Sequence, residues 1–275
     1  MFRFSLLMLV LALSLFYVAY PSSGLRIPHQ RATVQTPGGH DVEYYGLLAM
    51  MDVYGYDLKH GQWTSTSIWV SHDGDGSRSS YNSIHVGWQI FPEHYGDSHT
   101  HFYTYWTRDG SQKSGCYNMD CPGFVRADGA TVVPGAVIDP VGDAHNLQNI
   151  TIKVFKDKVT DDWWIYYGYN SNLKAVGYYP RTLFTYMDQT ANNIAFGAFV
   201  AAAATLPTPP MGSGVLPNGG KGRAASFSYV SLVDKDGQSN LVTENWPNNA
   251  DKGQCYSITP LSSAKAFYGG PGGCV

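Results

Sequence analysis

An alternating pattern at the start of the stretch 83–125 constrains the fold of this chain more than any other sequence feature. From Ile84 to Ile90 every second residue is apolar, which is the pattern of a β-strand with one buried face. His85 and Gln89 fall on the opposite face, where they can line a groove or face solvent. The stretch shows no helix-period pattern, so it predicts β structure.

The residues that follow complete a predicted hairpin. Pro92 and Gly96 interrupt the first strand, because proline removes a donor from the strand ladder and glycine favours turns. A second strand over 102–107 is then expected to pair with the first.

The rest of the chain repeats short strand-like runs bounded by Gly, Pro, Asn or Asp. Further strands are predicted at 43–54, 62–71, 131–138, 149–156, 163–169, 176–180, 193–202, 225–233 and 256–259. Only 181–190 has a helical spacing of apolar residues, 25–37 is predicted to be irregular, and 205–221 is predicted to be a long loop. The predicted fold class is therefore all-β, an antiparallel β-sandwich of two large sheets in one domain.

The N-terminal 24 residues predict a signal peptide. Arg3 precedes an apolar run over 6–19, and small residues follow at 21–24, as in secretory signals. The run is shorter than the roughly 20 residues that a membrane helix needs. We expect a secreted protein with no membrane association after cleavage, in which 25–39 is a short leader or arm and 40–275 is the folded domain.

The four cysteines and one sequon agree with secretion. Cys116 with Cys121 and Cys255 with Cys274 is the favoured pairing of the three that are possible, because short loops lose little entropy on closure. Asn149 begins the sequence Asn-Ile-Thr and is the predicted glycosylation site.

Composition argues against nucleic-acid binding. The net charge is -3, with 18 basic and 21 acidic residues, whereas a nucleic-acid surface usually shows a basic stripe. His94, His99 and His101 cluster near the predicted hairpin turn, but no carboxylate or cysteine motif completes a metal-binding set around them. The sequence predicts no metal or other cofactor.

Several runs resemble the C-terminal catalytic domain of the plant neprosin-type glutamic peptidases. They are SIHVGWQIFPEHYGD, YTYWTRDGSQKSGCYNMDCPGFV, DWWIYYG, VGYYPRTLF, PPMGSG and FYGGPGGC, in the order of the family and within residues 40–275. The resemblance implies a β-sandwich with a groove across one sheet, and acid-active cleavage of peptides, often after proline.

The resemblance also implies two glutamates that act together across the groove. The family places one in S-I-E-x-G-W and the other in W-G-G-E-V. His85 and Phe199 occupy the matching positions here, and each lies on the strand face opposite the apolar set. Phenylalanine can neither transfer a proton nor stabilise an oxyanion, and loss of a positioned acid or base lowers rates by about 10²–10⁴. Histidine could still carry a proton, since its unperturbed pKa is about 6.5.

The chain has three glutamates, Glu43, Glu93 and Glu244. Of these only Glu93 lies beside the predicted hairpin, where it could act with Asp97 as a substitute acid. A turn carboxylate more often caps backbone N–H groups, so we rank this second.

We therefore expect a catalytically impaired neprosin-like protein, located in an extracellular wall or a vacuole, that retains a groove for an extended, proline-rich polypeptide. Gln89, Tyr103, Tyr105 and Gly197 are the predicted groove residues. The alternatives are an active acid peptidase that uses Glu93, Asp97 and His85, and a wall protein that binds carbohydrate through exposed aromatic rings.

Overall fold

The computed structural model describes residues 29–37, 42–143, 145–170, 172–217 and 223–274. The predicted signal peptide and residues 25–28 of the predicted arm lie outside the described residues. Within these ranges no helix is long and apolar enough to cross a membrane.

The regular secondary structure of the described chain is almost entirely β-strand. In chain order they are β1 (His29–Gln35), β2 (Gly46–Asp52), β3 (Gln62–His72), β4 (Asn82–Ile90), β5 (His101–Thr107), β6 (Cys116–Tyr117), β7 (Val125–Arg126), β8 (Asn149–Lys156), β9 (Trp163–Tyr169), β10 (Lys174–Tyr179), β11 (Asn193–Ala202), β12 (Met211–Gly212), β13 (Ala225–Val233), β14 (Ser239–Leu241), β15 (Asn248–Ala250), β16 (Ser257–Ile258) and β17 (Ala266–Gly270). One short helix, α1 (Pro92–Tyr95), and two single 3-10 turns at Arg78–Ser80 and Arg181–Leu183 complete the elements.

The strands form two antiparallel sheets that pack face to face, as predicted. The seven-stranded sheet has the order β15-β1-β11-β3-β4-β5-β6, and the ten-stranded sheet runs β12-β17-β13-β2-β8-β9-β10-β7, with β14 on β13 and β16 on β17. β4 and β5 pair as the predicted hairpin, and in its register His85 lies opposite Tyr105.

The inner faces of the two sheets meet in one large apolar core. Ile84, Val86 and Trp88 from β4 are fully buried in it, as their alternation predicted. Across the core the rings of Phe196 and Phe227 lie 4.7 Å apart, and the Trp88 indole donates to the carbonyl oxygen of Asp52 at 2.9 Å. One face of the seven-stranded sheet packs against this core. The opposite face, called the outer face below, carries the candidate site.

The prediction of an irregular arm at 25–37 is wrong for residues 29–35. They form β1, which is hydrogen-bonded to β11 on one side and to β15 on the other. Ala32 and Val34 are fully buried in the core. The run contains only short apolar side chains between polar ones, so its strand state depends on partners that lie far away in sequence. The described part of the sandwich therefore includes β1, which precedes residue 40.

Two other predicted elements differ from the structure. Residues 131–138 form no strand, because the chain turns at Pro134 and Gly135 and contributes only one isolated bridge, between Val137 and His101. The predicted helix at 181–190 is reduced to the 3-10 turn at Arg181–Leu183. α1 and most of the two- and three-residue strands were not predicted, since such short elements carry little periodic signal.

Candidate functional site

The outer face of the seven-stranded sheet presents its side chains in rows that cross the strands. One row runs from Ala195 on β11 through Trp69 on β3 and His85 on β4 to Tyr105 on β5. Next to it lies a row of small residues, Gly197, Ser67 and Gly87, which ends at Tyr103. A third row places Phe199, Ser65, Gln89 and His101 side by side. All four predicted groove residues thus lie on this face.

The middle row is low because two of its positions have no room for a side chain. A Cβ on Gly197 would lie 2.4 Å from the Ala32 carbonyl oxygen, and one on Gly87 would lie 1.9 Å from the Thr66 carbonyl oxygen. Both glycines are therefore required by the close approach of neighbouring backbone. This row of Gly197, Ser67, Gly87 and Tyr103, called the trough below, therefore has little side-chain volume between two rows of larger side chains, and its residues are buried.

His85 and Phe199 belong to one cluster of rings although they are not direct cross-strand partners. Across β3 the partner of His85 is Ala195, and the partner of Phe199 is Gln89. The Trp69 ring bridges this offset, because its centroid lies 5.3 Å from that of His85 and 5.5 Å from that of Phe199. Both side chains point to the outer face, as the strand period predicted, and both are buried, with exposed fractions of 4% and 3%.

Burial changes what His85 can do. Desolvation lowers the pKa of His85 from 6.5 to about 3, because an imidazolium loses hydration in this aromatic setting. The proton-carrying role that the unperturbed pKa suggested for His85 is therefore not supported above about pH 3. The ring is neutral through the range in which a glutamate titrates, near about 4.3.

The predicted substitute acids, Glu93 and Asp97, interact with other histidines. Glu93 on α1 pairs with His60, the Oε2 to Nδ1 distance being 3.2 Å. Asp97 accepts hydrogen bonds from the Nε2 of His101 at 3.0 Å and from the His99 backbone at 2.8 Å. Partial burial acts to raise the pKa of Asp97, but these hydrogen bonds prevail and lower it.

A polar network that sequence reasoning missed lies at one end of the trough. The Gln89 Oε1 accepts from the Trp63 indole at 3.0 Å, and the Gln89 Nε2 donates to the Tyr95 hydroxyl at 2.9 Å. The Asn118 Nδ2 donates to the same hydroxyl at 3.1 Å. Only Gln89 could have been found from the strand pattern, because α1 and the segment after β6 reach it through the fold.

The remaining predicted sites lie apart from the trough. The two disulfides are Cys116–Cys121 and Cys255–Cys274, as predicted. Asn149 begins β8 in the other sheet and is half-buried, and its glycosylation stays a prediction. In the described ranges no three His, Cys, Asp or Glu side chains come together in a way that would hold a metal ion.

These features define an antiparallel two-sheet sandwich whose outer sheet face carries a trough flanked by aromatic and amide side chains. A model of the Neprosin family matches residues 60–271, which is most of the chain. The protein therefore belongs to the Neprosin family.

Two solved peptidase structures resemble the chain. One is the Scytalido-glutamic peptidase with a peptide-based transition-state analogue, at 11% identity and a TM-score of 0.45, covering 88% of this chain and 98% of that one. Another is SCP-B, a member of the Eqolisin family of peptidases, in complex with the tripeptide Ala-Ile-His, at 11% identity and a TM-score of 0.47 over the same shares.

A lichenase from a mouse hindgut metagenome is more distant. It is 8% identical with a TM-score of 0.26, and covers 64% of this chain and 79% of that one.

Proposed function

We propose that this Neprosin-family protein binds an extended, proline-rich polypeptide along the trough of the seven-stranded sheet and does not hydrolyse it through a pair of glutamates. The observation that carries the proposal is the chemistry of positions 85 and 199. Both side chains contact the single ring of Trp69, so they belong to one site, and neither is a carboxylic acid.

The state of the neighbouring groups supports the loss of catalysis. A glutamate dyad needs one carboxylate as base and another as acid. His85 has its pKa lowered to about 3 by burial, and the Phe199 ring has no ionisable group. Nearby carboxylates are engaged elsewhere, Glu93 with His60 and Asp97 with His101. Loss of both family glutamates therefore removes the proton transfers of that mechanism.

The shape and chemistry of the outer face support polypeptide binding. The low row at Gly197, Ser67 and Gly87 crosses three adjacent strands, which leaves a path for an extended chain. The Ser65 and Ser67 hydroxyls are buried on this face beside the Tyr103 hydroxyl, so polar groups accompany the aromatic rings there. The two disulfides and the predicted signal peptide favour secretion into a wall or a vacuole.

Incubation with a synthetic proline-rich peptide at about pH 3–5, where carboxylates titrate, tests both parts of the proposal. We expect binding by calorimetry and no fragments by mass spectrometry. Tyr105→Ser should weaken binding, because Tyr105 lies on the outer face of the seven-stranded sheet. Tyr178→Ser is the matched control, since Tyr178 is also partly exposed but lies in the other sheet.

Each outcome bears on the proposal. Peptide fragments that disappear in a Glu93→Gln variant would establish the active-peptidase alternative instead. Equal effects of the two tyrosine variants, or no binding at all, would refute the assignment of the trough as the binding face.

A second candidate function is carbohydrate binding on the opposite side of the molecule. Phe155, Trp164 and Tyr178 are neighbours on the outer face of the ten-stranded sheet. The Trp164 and Tyr178 rings lie 4.9 Å apart and are partly exposed, and such rings offer an apolar face with a polar edge. Binding to a glycan array that Trp164→Ala abolishes, without peptide binding, would favour this function.

A further inference from the structure

The Tyr95 hydroxyl is surrounded by two amides whose orientations are fixed. An indole N–H can only donate, so the contact with Trp63 requires the oxygen of Gln89 to face it. The backbone N–H of Thr104 likewise donates to the Asn118 Oδ1 at 3.2 Å. Each amide therefore turns its NH₂ group towards Tyr95.

Two N–H groups accordingly donate to one phenolic oxygen. The distances from the Tyr95 hydroxyl are 2.9 Å to the Gln89 Nε2 and 3.1 Å to the Asn118 Nδ2. These bonds occupy the acceptor capacity of the oxygen, so the hydroxyl proton has to be donated to a third group. No described residue provides an acceptor for that proton, and Tyr95 itself is partly exposed.

The phenol ring of Tyr95 is held in place by His101. His101 stacks on it with ring centroids 3.8 Å apart and an angle of 6° between the planes. The Nδ1 of His101 lies 2.7 Å from the Gly135 carbonyl oxygen, and its Nε2 lies 3.0 Å from Asp97. Both partner oxygens are acceptors, so either tautomer of His101 donates a hydrogen bond to one of them. The histidine plane is thereby anchored, and the phenol is preorganised.

The electrostatic setting keeps the phenol protonated. Burial raises the pKa of Tyr95, while the hydrogen bonds from Asn118 and Gln89 oppose part of the rise. A hydroxyl that accepts two hydrogen bonds also becomes a better donor, because hydrogen bonds in a chain polarise one another. The group is thus a neutral and directed donor at the end of the trough.

We propose that the Tyr95 hydroxyl donates a hydrogen bond to a backbone carbonyl oxygen of the bound polypeptide. The assignment rests on the proposed polypeptide binding, and it adds a specific anchoring residue to the trough. A carbonyl oxygen is the acceptor that every extended peptide offers at regular intervals, so the contact fixes register without selecting a side chain.

Replacement of the hydroxyl tests the contact. Tyr95→Phe should weaken binding of the proline-rich peptide roughly two- to tenfold, as expected for one neutral hydrogen bond. Tyr178→Phe, on the outer face of the other sheet, is the matched control and should bind as the unmodified protein does. Because Tyr95→Phe also leaves two amide groups without their acceptor, its unfolding curve is measured alongside.

A second variant separates a donor from a purely structural acceptor. Site-specific 3,5-difluorotyrosine at position 95 is a stronger donor and a weaker acceptor. At about pH 5, where the phenol remains protonated, it should bind the peptide severalfold more tightly. Weaker binding together with lower stability would overturn the inference and leave Tyr95 as a structural residue.

A small-molecule titration distinguishes failure of this inference from failure of the proposed function. N-methylacetamide supplies an isolated peptide carbonyl. The protein is labelled with carbon-13 at the tyrosine Cζ, and the Tyr95 resonance is assigned as the one that is absent in Tyr95→Phe. N-methylacetamide should shift this resonance even if the protein binds no peptide. Peptide binding without any shift at Tyr95 would refute the inference, whereas a shift without peptide binding would refute the proposed function alone.

Discussion

His85→Phe is the most direct test of the candidate site, because it removes the titrating group and keeps a ring against Trp69. The folded-state pKa of His85 is about 3, below the value of 6.5 for an exposed histidine. Between these two values the unfolded chain binds a proton that the folded chain does not. The free energy of unfolding should therefore fall as the pH decreases through this range.

The expected magnitude follows from the size of the shift. One pKa unit corresponds to about 1.4 kcal/mol, so the His85 contribution to stability should decrease by roughly 3 kcal/mol between about pH 7 and pH 4. In His85→Phe this part of the acid sensitivity should be absent. Any change in stability that does not depend on pH cancels, because each protein is compared with itself at the two pH values.

Urea unfolding followed by tryptophan fluorescence measures both curves. The unmodified protein, measured at the same pH values, is the control. Equal losses of stability in His85→Phe and the unmodified protein would refute the conclusion that the ring is neutral in acid. A histidine that titrated near pH 6.5 would then remain a candidate proton carrier.

Three further predictions concern the site, the disulfides and β1. His85→Glu combined with Phe199→Glu should restore some peptide cleavage in acid, detected by mass spectrometry. Either change alone should not, because one carboxylate cannot be both acid and base. Cleavage by a single variant would contradict this prediction. Cys274→Ser should lower the free energy of unfolding by about 3 kcal/mol and Cys121→Ser by about 2 kcal/mol. The difference is expected because the entropy of loop closure grows with loop length, and the two bonds span 19 and 5 residues. An unchanged unfolding midpoint in either variant would count against that bond. Val34→Asp should lower the free energy of unfolding by about 3 kcal/mol or more, because it buries an unpaired charge. Gln35→Asp, at the neighbouring exposed position, should have little effect. Similar losses of stability in the two variants would contradict the placement of β1 in the sheet.

Regular alternation made the long strands predictable. β4 alternates apolar and other residues from Ile84 to Ile90, and the pattern also indicated that His85 and Gln89 share the outer face. β1 could not be predicted in the same way, because its two buried apolar residues become part of a strand only between β11 and β15. Strand formation depends on neighbouring strands more than helix formation depends on neighbouring helices.

The sequence by itself determined which chemical groups the site can contain. It shows three glutamates in the whole chain, a histidine and a phenylalanine at the positions where the resemblance predicts glutamates, and a strand period that directs both to one face. These statements need only residue identity and a two-residue repeat.

Only the tertiary structure decided how those groups behave. The neutral state of His85 follows from burial beside Trp69, and the directed proton of Tyr95 follows from Trp63 and Thr104, which lie on different strands and fix two amides. Burial and hydrogen-bond partners are set by residues that are distant in sequence and adjacent in the folded sheet. A local pattern cannot specify such neighbours, because the free energy of a charge or a hydroxyl depends on what surrounds it.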